Sequence, residues 1–247
     1  MLDLSTFENF DNDWEKFAHE HGTLFQGLIV LNKCQTILEV GVATAETTKL
    51  LCQAGKVVGG KVYGYDCWAQ HGLANQFSAN CTLEKCEEKL KNAGFDNFEL
   101  TKMDLSGPEF ANLVKTKHPQ VDFAFIDACH SYYGVSNDFW AVYPSLKPGG
   151  IVAFHDTLAC DGCREFVIDL RTKFYDGTYD IVEFPYANGN HRTGVSILVK
   201  RSFAILQNQL PILDVCNLTN TNQEIYAKER NFYNNEVNRA AMRFKLS

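Results

Sequence analysis

Between residues 36 and 200 the spacing of apolar positions switches repeatedly from a strand-like to a helix-like period. "TILEVGV" (36–42) is a short β-branched run that reads as a strand; "AETTKLLCQAG" (45–55) has apolar residues at helical spacing and stops at Gly55. The alternation continues with a strand at "KVYGYD" (61–66), a helix at "CTLEKCEEKLKNAG" (81–94), a strand at "NFELTKMD" (97–104) and a proline-started helix at "GPEFANLVKTK" (107–117). "VDFAFID" (121–127) is apolar at nearly every position, broken only by Asp122, as expected of a strand buried inside a parallel sheet. "GVSNDFWAVYPSL" puts Val135, Phe139, Val142 and Leu146 on one helical face, and a Lys-Pro-Gly-Gly turn then leads into a fifth strand, "GGIVAFHD" (149–156). A helix at "CREFVIDLRTKF" (163–174) precedes two last strands, "TYDIVEF" (178–184) and "TGVSILVK" (193–200).

Strands separated by helices of about 10–15 residues predict right-handed crossovers and an α/β fold, a doubly wound Rossmann-like sheet of seven strands. The last two strands are too close in sequence for a helix between them, so they should pair as an antiparallel hairpin around "PYANGNHR" (185–192). The sheet is then parallel except for one strand. Residues 1–35 are expected to form an N-terminal helical cap over the carboxyl edge of the sheet, with Gln26 in reach of a bound ligand and His19 and His21 solvated. Residues 36–200 form the cofactor-binding domain, and polar, asparagine-rich 201–247 form an extension. That extension fits a homodimer arm, a packed terminal helix or a linker within a longer polypeptide.

Composition narrows the function. With 45% hydrophobic and 21% charged residues the chain is ordinary globular protein, and a net charge of −7 without clustered cations argues against nucleic acid as partner. Nine scattered cysteines, an odd number in a chain of this size, fit reduced thiols and a cytoplasmic location. "CDGC" (160–163) lacks a second pair at zinc-site spacing, and Cys129 reads as wall rather than nucleophile. The acidic start has no apolar stretch that would make a signal peptide or a membrane span, and "NLT" (217–219) reads as a chance sequon.

In an open parallel sheet, ligands bind beyond the carboxyl ends of the strands where strand order reverses. Glu39, Asp66, Asp104, Asp127 and Asp156 stand at five successive strand ends. A single aspartate there is ordinarily a turn cap; five in succession point to a site. "EVGVATAE" keeps only Gly41 of a dinucleotide fingerprint, with Ala43 and Ala45 around it, which speaks against a nicotinamide oxidoreductase, as does the lack of a Tyr-x-x-x-Lys pair in a suitable helix. "FIDACHSYYG" brings Asp127 and His130 together at the end of the fourth strand. Trp68 could pack on a bound base, and His191 or Arg192 could reach an acceptor from the last loop.

On the Glu39–Gly41 turn, the acidic ends of the second and third strands, "LKPGG" and the terminal hairpin, residues 36–200 resemble class I S-adenosylmethionine-dependent methyltransferases. "FIDACHSYYGVSNDFWAVYPSLKPGGIVAFHD" is similar, more narrowly, to the branch of sugar and macrolide O-methyltransferases. The resemblance implies S-adenosylmethionine as cofactor. Glu39 and Gly41 would line its methionine end over the turn from Val42 through Ala43 to Ala45, Asp66 would take the ribose hydroxyls, and Asp104 with Leu105 would meet the adenine.

By likeness to the catechol type, Asp127, His155 and Asp156 take the positions of magnesium or manganese ligands. His130 takes the place of the base, so that His130 and Asp127 flank the acceptor hydroxyl. Imidazole at His155 suits a transition metal better than magnesium. Tyr132 would be a wall or positioning group. The expected activity is methyl transfer to a hydroxyl of a sugar, a glycan or a glycosylated metabolite, a small-molecule or carbohydrate acceptor. A catechol or other phenol is the main rival, and a non-catalytic cofactor-binding module would need no base.

Overall fold

The computed structural model describes residues 13–68, 82–185, 187–188 and 191–201, of which 13–17, 19–20, 187–188 and 191–192 are described by their backbone alone. The chain runs α1 (Asp13–Leu31), β1 (Thr36–Val40), α2 (Glu46–Val58), β2 (Lys61–Asp66), α3 (Leu83–Asn92), β3 (Phe98–Lys102), α4 (Pro108–Lys117), β4 (Val121–Ile126) and α5 (Tyr132–Val142). A short 3₁₀ turn leads to β5 (Leu146–His155), α6 (Asp161–Arg171), β6 (Tyr179–Phe184), β7 (Ala187–Asn188), β8 (His191–Arg192) and β9 (Val195–Lys200). Seven strands form one sheet in the order β3-β2-β1-β4-β5-β9-β6; β9 runs antiparallel to both neighbours and the other strand pairs are parallel. Strand order therefore reverses between β1 and β4.

The period-two alternation splits each central strand between two cores. Val121, Ala124 and Ile126 of β4 join Leu38 and Val40 of β1 in the core under α4, α5 and α6. Phe123 and Phe125 join Ile37 in the core under α1, α2 and α3. A buried phenylalanine contributes on the order of 2–3 kcal/mol here, so both sheet faces are strongly held. Asp122, the one polar break in β4, is explained by its place at the amino end. Its Oδ2 accepts from the backbone N–H groups of Gln35 (2.8 Å) and Thr36 (2.8 Å), pinning the start of β1, and its other oxygen pairs with Lys147.

Three local features differ from the sequence expectation. The Lys-Pro-Gly-Gly segment is part of β5 rather than a turn before it: Leu146 to Ile151 of β5 is matched to Val121 to Phe123 of β4, so the segment bulges before pairing resumes. The last hairpin pairs β6 with β9 as expected, but its loop, expected to be irregular, holds the small β7–β8 ribbon.

Helix α1 lies beside α2 on the sheet face rather than over the carboxyl edge. Phe25 packs on Phe123 and Phe125 with ring centroids 5.6 and 4.9 Å apart. Gly22 allows the approach, since a Cβ there would stand 2.3 Å from Leu50 Cδ1. Among the described residues, no helix is long and apolar enough to cross a membrane.

Candidate active site

The turn after β1 sits at the reversal of strand order. Gly41 has φ +94°, and a Cβ on it would lie 2.3 Å from the Asp127 carbonyl oxygen and 2.7 Å from Ala128 Cα. Glycine at this position lets the β1 turn close onto the end of β4. Ala43 (φ 48°) and Ala45 (φ 63°) follow in the left-handed region, which costs an alanine about 1–2 kcal/mol each. Asp66, the last residue of β2, offsets that cost: its Oδ2 accepts from the N–H groups of Val42 (2.8 Å) and Ala43 (2.9 Å), and its Oδ1 from that of Trp68 (2.7 Å).

Glu39 lies beneath the turn, 1% exposed, with Oε2 lacking a hydrogen-bond partner. Burial pushes its carboxyl well above the usual range against the pull of the Thr48 hydroxyl, and the charges of Asp127 and Asp66 push it further. Such an orphaned oxygen under a strained turn fits a bound cationic group above it. At the end of β3, Asp104 Oδ1 accepts from the backbone and hydroxyl of Ser106 (2.8 and 2.6 Å), while buried Leu105 accepts at its carbonyl from Asn137 of α5 (2.8 Å).

The ends of β4 and β5 bring Asp127, His130, His155 and Asp156 into one cluster. His130 Nε2 is 3.1 Å from Asp127 Oδ1 and 3.4 Å from Asp156 Oδ2; His155 Nδ1 is 3.3 Å from Asp127 Oδ1 and 3.4 Å from Asp156 Oδ1. His155 is the more enclosed, at 12% side-chain exposure, and neither of its ring nitrogens makes a hydrogen bond; His130 is 32% exposed. Burial works against both imidazolium ions, yet the hydrogen bond of His130 to Asp127, and the charges of Asp127 and Asp156 at both rings, outweigh it and raise both histidines. Burial likewise works against the Asp127 carboxylate, and the two imidazolium groups more than compensate, holding it below its usual range. Asp156 has φ 55° and so stores backbone strain next to the cluster.

His130 is held by its surroundings. Ser131 caps α5, its Oγ accepting from Gly134 N–H (3.1 Å), and Cys129 packs where a Cβ on Gly134 would otherwise stand, 2.5 Å from its sulfur.

Asp127, His155 and Asp156 each offer a donor atom within 4.8 Å of the others. Two ligands of one tetrahedral ion with bonds of about 2.0–2.1 Å stand roughly 3.4 Å apart, close to the spacings found here. The unpartnered His155 nitrogens complete the fit to a divalent cation, with imidazole favouring manganese, zinc or another transition ion over magnesium.

Other nominated residues have different employment. Gln26 is buried and donates to Leu50 O (3.2 Å) and Gln53 Oε1 (2.9 Å), fastening α1 to α2. His21 is not solvated: it is 5% exposed, 3.2 Å from Thr47 Oγ1, with its ring 4.5 Å from that of His155. Sequence spacing gave no hint of that contact, because α1 and β5 meet only in the tertiary fold. Tyr132 turns away from the cluster, its hydroxyl donating to Asp169 Oδ2 (2.8 Å) and its ring against Phe166. Trp68 is 7% exposed and donates from its ring N–H to Ala43 O (3.1 Å), bracing the β1 turn from the core side. The side chains of His19, His191 and Arg192 and most of the 201–247 extension lie outside the described residues.

Comparison with known proteins agrees with this geometry. Residues 38–157 match a family model described as a methyltransferase domain. No curated protein matches the sequence. Among solved structures, the chain is similar to the O-methyltransferase TomG from Streptomyces achromogenes in complex with S-adenosylmethionine, with TM-score 0.60 and 15% identity, covering 80% of this chain and 94% of that one. An O-methyltransferase from Bacillus cereus in complex with SAH gives 0.59 and 13% over 80% and 95%, and an rRNA methylase from Streptococcus thermophilus gives 0.54 and 16% over 72% and 95%. At such identities the likeness establishes the fold, which in these proteins serves different acceptors. Residues 38–157 are thus similar to a methyltransferase domain, and the sheet order with the turn at its reversal is that of a Rossmann-like fold.

Proposed function

We propose that the chain is an S-adenosylmethionine-dependent O-methyltransferase that acts on a hydroxyl of a sugar or glycosylated small molecule, with His130 as general base and assistance from a divalent cation. The observation that carries the reading is the convergence of Asp127, His130, His155 and Asp156 beside the Gly41 turn. S-adenosylmethionine supplies an activated methyl group, whose carbon–sulfur bond breaks as the acceptor oxygen attacks in line. The protein's own task is to hold that oxygen and remove its proton. Glu39, Asp66 and Asp104 line the strand ends where the cofactor would lie, and their carboxylates suit a cationic, hydroxyl-rich ligand. A cation at Asp127, His155 and Asp156 would lower the acidity threshold of the acceptor hydroxyl.

In the metal-free arrangement Asp127 and Asp156 favour the imidazolium form of His130, which is the wrong state for a base. A cation held by Asp127 and Asp156 would take up that negative charge and leave His130 nearer the neutral imidazole that accepts a proton at Nε2. Base and metal site are therefore linked through the same two carboxylates.

The test begins with calorimetric titration of S-adenosylmethionine and its demethylated product. Methyl transfer is then assayed to a panel of sugars, glycosides and catechols with magnesium or manganese. Micromolar cofactor binding and methylated glycosides are expected. His130→Ala should abolish turnover and leave cofactor affinity within about threefold, since it removes only the proton acceptor. Absence of cofactor binding would overturn the reading as a whole, and methylation of catechols alone would overturn the acceptor assignment.

A further inference from the structure

The cluster at the ends of β4 and β5 continues past His130 to Cys160. The thiol, an imidazole nitrogen of His130 and a carboxylate oxygen of Asp156 all lie within 4.8 Å of one another. Asp156 presents a different oxygen to each side, Oδ1 to His155 and Oδ2 to His130, both at 3.4 Å. A carboxylate placed this way can serve two cations at once, and 3.4 Å is again the ligand spacing of a tetrahedral ion with bonds of about 2.0–2.1 Å.

Two features of α6 argue that Cys160 is placed for this purpose. It occupies the N-cap position of the helix, where serine, threonine, aspartate or asparagine would satisfy a backbone N–H, yet it makes no side-chain capping bond. Gly162 is also needed where it stands. A Cβ there would lie 2.4 Å from Tyr132 N and 2.5 Å from His130 O, so the start of α6 is pressed directly against the His130–Ser131 loop.

We propose that His130, Asp156 and Cys160 form a second metal position, taking zinc or a similarly thiophilic divalent cation, next to the position formed by Asp127, His155 and Asp156. One sulfur, one nitrogen and one oxygen donor select a borderline-soft ion over magnesium, and three protein ligands leave a fourth place for water. On binding, the thiol proton leaves to solvent and the sulfur coordinates as thiolate. A cation held there occupies His130 Nε2, so zinc should inhibit methyl transfer. That consequence, unlike the site itself, rests on His130 being the base.

Cobalt(II) reports the site without any assay of turnover, because thiolate coordination produces a near-ultraviolet charge-transfer band. The chelator-treated full-length protein is expected to develop that band, to lose it on adding zinc, and to show it undiminished in Cys129→Ser. In Cys160→Ser, with its thermal unfolding unchanged, the band should be absent. Zinc affinity measured against a chromophoric chelator should then fall by more than about tenfold, the loss that even a supporting residue of a metal site produces. No band in the parent protein, or a band that persists in Cys160→Ser, would overturn the proposal. With an acceptor identified, zinc should inhibit the parent and spare Cys160→Ser; a Cys160-dependent band without inhibition keeps the site and removes His130 as base.

Discussion

At the scale of single residues, the turn after β1 depends on a backbone position with no room for a side chain. Gly41→Ala would put a methyl group 2.3 Å from the Asp127 carbonyl at φ +94°. The expected cost is about 3 kcal/mol from strain and overpacking together, read as a shift of the urea midpoint, with loss of cofactor binding in the same calorimetric titration. Gly41, Asp66, Asp127, His130, His155 and Asp156 were legible in the sequence because strand ends are legible, and a carboxylate just past an apolar run is easy to see. His21, Gln26, Tyr132 and Trp68 were not. Each is a polar or aromatic residue whose partner comes from an element remote in sequence: His155, Gln53, Asp169 and the Ala43 carbonyl. Periodicity says which face a residue occupies, not what it meets there.

At the scale of elements, the alternation of period placed the strands and helices of the central unit, since strands buried on both faces write an uninterrupted apolar run. It failed at the Lys-Pro-Gly-Gly segment, where turn-forming residues lie inside β5 because the strand bulges. It also left the position of α1 open, which Gly22 and the Gln26 bonds decide in favour of α2. Asp122 joins β4 to the start of β1 and to Lys147 of β5. Asp122→Ala strands two backbone donors and a lysine, and should cost about 2 kcal/mol by denaturant unfolding while leaving cofactor affinity unchanged, because the amino end of the sheet is remote from the site. Loss of cofactor binding in a folded Asp122→Ala variant would contradict this division of the sheet into a structural and a functional end.

At the scale of the whole molecule, acid sensitivity should be governed in part by a histidine outside the cluster of Asp127, His130, His155 and Asp156. His118 is 3% exposed, with its Nε2 2.5 Å from the Tyr65 hydroxyl; burial pushes its pKa from 6.5 down to about 4. A value lower in the folded chain means that the unfolded chain takes up the proton first. This contribution to stability is intact above pH 6.5 and is lost as the pH falls toward 4. Between pH 7 and pH 5 the loss should be about 2 kcal/mol, and His118→Gln, which cannot titrate, should remove that part of the pH dependence. The raised His130 and His155 act with the opposite sign, adding stability below pH 6.5, so the comparison with His118→Gln isolates the acid-labile share. The antiparallel β9 has a last consequence, for the order of events during synthesis. Residues 193–200 emerge after β6 yet insert between it and β5, and His155, Thr157 and Leu158 acquire their pairing to Val195, Gly194 and Thr193 only then. The carboxyl end of β5, with His155 and Asp156 on it, thus keeps an open edge until nearly the whole sheet has left the ribosome, and the last strand to be made is the one that frames it.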